Sequence, residues 1–223
     1  MIKVTQRKRA NCSMLFLYLS ITFVVCLLLS NILAAKLLKV ALFSVSAGVL
    51  VFPISYIIND ILVEVYGYQK AKSIIICGFV MNIFMVVVFI VAIALPSPEW
   101  FENDTYFELI LGSTPRTVFA GLLAYLLGSL VNAKVLAKMK ARAGNKFGVR
   151  AIISTVFGEA TDSLIFVLGA FAGTISLQQM FGMMLIQVAV KTAYEIICLP
   201  LTILIVGRVR EHEGITQGQE AKI

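Results

Sequence analysis

The sequence predicts an all-α integral membrane protein: one bundle of six transmembrane helices, arranged as a 3+3 inverted repeat with both ends cytoplasmic. Three observations predict it. Sixty per cent of the 223 residues are hydrophobic and only 14% are charged, against ~45–50% and ~25% in soluble domains. Six apolar runs approach the ~20 residues that a spanning helix needs. Lysine and arginine fall almost entirely on one side of those runs. A mean hydropathy of +0.94 cannot be hidden by a water-soluble fold of this size, which still exposes roughly a quarter or more of its chain's surface. The composition therefore excludes a soluble enzyme, a disordered chain and a nucleic-acid-binding domain.

The first run, Ser13–Leu33, follows Lys3, Arg7, Lys8 and Arg9. That order suits a signal peptide, but the run exceeds the ~7–15 residues of a typical apolar signal core, so it reads as an uncleaved first helix. The second, Val40–Ile58, contains Pro53, whose ring interrupts a helix and frees backbone groups. The third, Ser73–Leu95, is apolar apart from Asn82 and is expected to face lipid. The fourth, Arg116–Leu136, carries Ala120, Ala124 and Gly128 at four-residue spacing, continuing to Asn132 with Ser129 adjacent. Such a stripe lets helices approach closely and fits internal packing and a homodimer seam equally well. The fifth, Ala151–Gly173, and the sixth, Met180–Val206, both carry charge, and a polar tail spans 207–223. No linker divides the chain, so residues 1–223 form one domain.

With the first helix entering from the cytoplasm, fifteen lysines and arginines lie inside and three outside, with Lys191 within a helix. This asymmetry sets N-in, C-in and an even number of helices. The outer loop 96–115 agrees, with Glu99, Glu102, Asp104 and Glu108 beside Trp100 and Tyr106. The net charge of +7 is thus topological, and no nucleic-acid partner is expected. Three helices per half would place the halves in opposite orientation. An echo of Asp60–Gly67 in Asp162–Gly169 aligns the second helix with the fifth, as an inverted repeat requires.

Charges within a bilayer persist only where they face protein or water. Glu159 and Asp162 lie about one turn apart on one helix face, and their own helix offers no base. They call for an external cation, a shared proton or a ligand with donors. Gln187, Lys191 and Glu195, with Tyr194 beside them, form a polar stripe on the sixth run. One reading has Lys191 and Glu195 neutralising each other and joining helices. The second run ends in Tyr56, Asn59, Asp60 and Glu64, a Pro-broken element of the kind that lines transporter sites. Asp60 and Glu64 share a face and are candidates for proton coupling, unless they lie exposed at the cytoplasmic end. The buried acids are expected to line one aqueous pocket. A guanine-like edge offers parallel N–H donors to a carboxylate, and Tyr56, Phe157, Phe166 and Tyr194 could stack on a flat ring. This permits a planar heterocycle without singling one out. Cys12, Cys26, Cys77 and Cys198 are scattered and His212 lies in the tail, so no metal site, no cofactor and no histidine-based enzyme is expected. No phosphate-cradling GxxxxGK[ST] is present.

The stretch Phe52-Pro53-Ile54-Ser55-Tyr56-Ile57-Ile58-Asn59-Asp60-Ile61-Leu62-Val63-Glu64-Val65-Tyr66-Gly67-Tyr68 resembles a signature of the queuosine precursor transporter family, also called the vitamin uptake transporter family. Ser154–Ser163, with Gly158-Glu159 and Thr161-Asp162, resembles its second signature. Lys191-Thr192-Ala193-Tyr194-Glu195, followed by Leu199-Pro200-Leu201-Thr202, resembles its third. The resemblance implies import of 7-deazaguanine bases, such as 7-cyano-7-deazaguanine, 7-aminomethyl-7-deazaguanine or queuine, across a bacterial inner membrane for a tRNA modification. It implies roles for Asp60, Glu64, Glu159, Asp162, Lys191 and Glu195. The alternative is the substrate-binding subunit of an energy-coupling-factor vitamin importer.

Overall fold

The computed structural model describes residues 13–33, 35–40, 43–112, 115–143, 147–174 and 176–214. Lys3, Arg7, Lys8, Arg9, Cys12, Lys146 and Lys222 lie outside them. The elements are α1 (Met14–Leu33), β1 (Leu37–Val40), β2 (Phe43–Ser46), a 3-10 turn (Ala47–Leu50), α2 (Phe52–Ile61), a π-turn (Leu62–Tyr66), α3 (Tyr68–Ala94), α4 (Asp104–Leu111), α5 (Pro115–Ala143), α6 (Phe147–Phe171) and α7 (Leu177–His212). Among the described residues five helices are long and apolar enough to cross a membrane: α1, α3, Val118–Ala141 of α5, α6 and α7. The protein is a multi-pass membrane protein whose helices carry large apolar side chains on their outer faces, Phe84, Val87 and Val91 of α3 among them.

The second apolar run departs from expectation. Residues 37–40 and 43–46 pair as two antiparallel strands, with Leu37 opposite Ser46 and Val40 opposite Phe43. A short apolar run carries no periodicity that separates strand from helix. The helical part starts later and continues through the polar residues to Tyr66. Pro53 does not interrupt this helix. It stands in the first turn of α2, where no intrahelical N–H bond is lost. Gly67, at φ 85°, ends the π-turn, a conformation that a Cβ would strain.

The segment 47–66 is the innermost element. Ile57, Ile58, Ile61, Leu62 and Val63 are buried against Phe23 of α1, Ile75 of α3, Leu136 of α5, Ala151 of α6 and Val206 of α7. The helix α3 faces outward over most of its surface but buries a stripe of Ala71, Ile75, Gly78 and Asn82. Asn82 donates to the Gly78 carbonyl at 3.0 Å and accepts from Asn31 of α1. The stripe on α5 packs within the chain. A Cβ on Gly128 would sit 2.8 Å from the Asp162 Cβ, one on Gly158 2.7 Å from the Asn132 Cβ, and one on Gly169 2.7 Å from the Ala120 Cβ. The helices α5 and α6 therefore run antiparallel at backbone contact.

Several element ends meet at one face. Ser13 donates to Glu213, as does Tyr66 at 3.0 Å. Lys140, near the end of α5, donates to the Glu64 carbonyl, and Arg150, near the start of α6, reaches the Glu64 carboxylate. That face holds the start of α1, the end of the π-turn, the ends of α5 and α7, and the start of α6.

Candidate functional site

The side chains of Tyr56, Asp60 and Glu64 stand four residues apart along 52–66 and so follow one helical face. Each meets a different polar partner, giving three tiers.

At the first tier, Tyr56 of α2 hydrogen-bonds Glu159 of α6. Lys191 of α7 reaches across to α6, with Nζ 2.7 Å from Glu159 Oε2 and 2.7 Å from Asp162 Oδ2. The two acids thus find their cation on the neighbouring helix. Lys191 does not pair with Glu195, as one sequence reading had it: side chains on α6 compete for the ammonium, and Asp162 takes a direct hydrogen bond from it. The ammonium bridges the two acids, and Lys191 and Asp162 keep 23% and 14% of their side-chain surface exposed.

A small cavity adjoins this tier, lined by Phe23, Ser55, Tyr56, Asn59, Tyr125 and Ser129. It has room for about one water molecule. The Asn59 Oδ1 and the Tyr125 hydroxyl are buried there without a well-formed hydrogen bond. Tyr56 connects the cavity to the charged cluster.

At the second tier, one turn along both helices, the carboxyl group of Asp60 lies within hydrogen-bonding range of that of Glu195 of α7. Asp60 is 0% exposed and Glu195 4%. The side-chain amide of Asn132, from α5, lies beside Asp60.

At the third tier, Glu64 is clamped from two helices. Arg150 Nη2 stands 2.9 Å from its Oε1, and Arg210 reaches the same oxygen. Glu64 and Arg150 are buried, so this end of the segment is not an exposed loop. Arg150 also lies over the Phe147 ring at 5.9 Å.

Tyr56, Asn59, Asp60, Glu64, Glu159, Asp162, Lys191 and Glu195 are thus drawn into one connected interior. Gln187 is half-buried farther along α7. Phe157 and Tyr194 are not drawn in. They are 56% and 38% exposed on the outside of the bundle, because Phe157 lies ~200° around the helix from Glu159 and Tyr194 ~100° from Glu195. Phe166 packs edge-on to Phe171 at 6.1 Å. Sequence reasoning missed Arg150 and Arg210, which it counted among loop cations, and the cavity residues Phe23 and Tyr125. For Arg150 the available signal was its position directly ahead of an apolar run, level with an acid that needed a partner.

Comparison with known proteins agrees with this architecture. Residues 46–205 match the family model described as "Putative vitamin uptake transporter". The chain is 25% identical over 167 residues to the queuosine precursor transporter of Escherichia coli K12, covering 75% of this chain and 71% of that protein. It is 27% identical over 126 residues to the probable queuosine precursor transporter of Haemophilus influenzae, covering 56% of this chain and about half (51%) of that one. No solved structure matches. The matched region spans every element of the three-tiered interior except the end of α7 that carries Arg210, and the chain belongs to the vitamin uptake transporter family.

Proposed function

We propose that this protein imports a 7-deazaguanine-type queuosine precursor across a bacterial inner membrane by alternating access. The observation that carries the reading is the first tier: two carboxylates held by one lysine, bonded to a tyrosine that lines a cavity. Two acids against one base leave an excess of acceptor character. A guanine-like edge supplies the donors that such a carboxylate takes in parallel, and it competes with Lys191 for them. Tyr56 and Tyr125 offer ring faces beside the cavity. Entry of a planar base requires α2 to part from α5 and α1, since the enclosed space holds no ring. The names of the two relatives support the substrate class, and nothing in the comparisons favours a substrate-binding subunit of a larger importer.

The proposed topology has six crossings with both ends cytoplasmic, 47–66 being the sixth beside the five long helices. Support comes from the shared face of Ser13 and Glu213, which an even number of crossings gives. The opposite courses of 47–66 and α6 suit a 3+3 inverted repeat.

The test is uptake of labelled 7-cyano-7-deazaguanine by cells that cannot synthesise it. Expression of the wild-type chain restores uptake, and Glu159→Gln and Asp162→Asn each reduce it at least ~10-fold, as expected for loss of a charged hydrogen bond of ~1.5–3 kcal/mol. Wild-type rates in both variants would overturn the assigned roles.

A further inference from the structure

The second tier has a use that the first does not explain. Asp60 and Glu195 place two carboxyl groups in direct contact inside the bundle. Both Asp60 oxygens and Glu195 Oε1 lack a well-formed hydrogen bond. The amide of Asn132, 0% exposed, faces them with neither its nitrogen nor its oxygen in one either. The surrounding charges are committed elsewhere. In the π-turn that follows α2, Glu64 is held by Arg150 and Arg210. On α7, Lys191 is held by Glu159 and Asp162. Glu159 is the nearest acid of α6, Lys140 of α5 reaches the Glu64 carbonyl, and the Cys198 thiol and the Tyr56 hydroxyl complete the titratable surroundings.

Two ionised carboxylates in contact, with no base among the described residues on either, repel strongly in a medium of low dielectric. Among the described residues, five interior carboxyl groups face three interior bases, so this interior also falls short of positive charge. One proton placed between the pair removes the repulsion. The acid O–H of one group donates to the carboxylate oxygen of the other, as in paired catalytic carboxylates. A sodium ion would instead hold the oxygens apart around itself.

We propose that Asp60 and Glu195 form a proton-binding site that couples transport to the proton gradient. The site shares α2 and α7 with the first tier, one turn away. Movement of α2 relative to α7 therefore opens both together. Separation hydrates the pair, both groups ionise, and the proton leaves to the side then exposed. The coupling step rests on the transporter reading, whereas the shared proton does not.

Two measurements on the full chain test it. Infrared difference spectroscopy of purified protein should show a protonated-carboxyl C=O stretch that shifts in deuterium oxide. The band should vanish in both Asp60→Asn and Glu195→Gln and persist in Glu159→Gln. In proteoliposomes, an inward pH gradient should drive accumulation of labelled 7-cyano-7-deazaguanine, by about tenfold per pH unit for one proton per substrate. The ratio of uptake with and without the gradient should fall to one in both variants. If the base is not transported at all, the function proposed above fails while the spectrum still decides the proton. An absent band, a band lost in Glu159→Gln instead, or uptake driven by sodium and indifferent to pH would overturn the proposal.

Discussion

Lys191 shows how a single residue sets the state of the interior. Among the described residues its ammonium pairs with Asp162 and, beside the Tyr56 hydroxyl, with Glu159. Removing one member of a buried ion pair strands the other charge, at ~3–5 kcal/mol, whereas replacing every member together is often close to neutral. Lys191→Met should therefore lower the detergent melting temperature sharply. The triple variant Lys191→Met, Glu159→Gln, Asp162→Asn should recover most of the loss while remaining inactive. Equal melting of the single and triple variants would show that the cluster is not an ionic unit. The acids of this cluster were legible in the sequence because charge in an apolar run stands out. Their partner was not, since i, i+4 spacing on α7 pointed to Glu195 and only the packing of α6 on α7 brings Lys191 to Glu159. Arg150 escaped for a different reason: a basic residue at the rim of an apolar run looks like a topology signal wherever its side chain goes.

At the scale of elements, α1, α3, α5, α6 and α7 follow from run length and hydropathy, within several residues at most ends. The helices α5 and α7 extend past the apolar runs, to Ala143 and His212, since charged residues of good helix propensity continue a helix beyond the bilayer. With 36 residues, α7 is about 54 Å long, well over the ~30 Å hydrocarbon core. The helix α4 lies in the acidic loop, where no long apolar run announced it. Residues 37–66 were read least accurately, because the polar side chains that seemed to end a span are buried at its inner end. The antiparallel contact of α5 and α6 then depends on absent side chains. Gly158→Leu would drive its Cβ into that of Asn132 on an opposing backbone. Overpacking of this kind costs about 1–3 kcal/mol or more. We expect loss of folded protein on size-exclusion chromatography for Gly158→Leu and near-normal yield for Gly182→Leu, which meets open space. Normal behaviour of both would show that α5 and α6 separate more easily than their contact suggests.

Across the whole molecule, the basic residues gather at one of the two ends that the contacts define. Lys70 and Lys72 at the start of α3, Lys138 and Lys140 late in α5, Arg150 at the start of α6 and Arg208 and Arg210 late in α7 gather at the face where Ser13 meets Glu213. The opposite face carries Trp100 and Tyr106 beside Glu99, Glu102, Asp104 and Glu108. In the proposed topology, cytoplasmic retention of lysine and arginine would put the basic face inside. The ion cluster around Glu64 would then stand at the cytoplasmic end of the interior, with the first tier deeper in the membrane. In a background with native cysteines replaced, Glu102→Cys should react with a membrane-impermeant maleimide in intact cells. Glu211→Cys should react only after the membrane is permeabilised. Both side chains are exposed, so reactivity reports sidedness rather than burial. The reverse pattern would invert the protein and place the three arginine- and lysine-bound contacts to Glu64 on the outside. Labelling of both positions in intact cells would mean an even number of crossings between residues 102 and 211, so that α5, α6 and α7 do not each span the membrane.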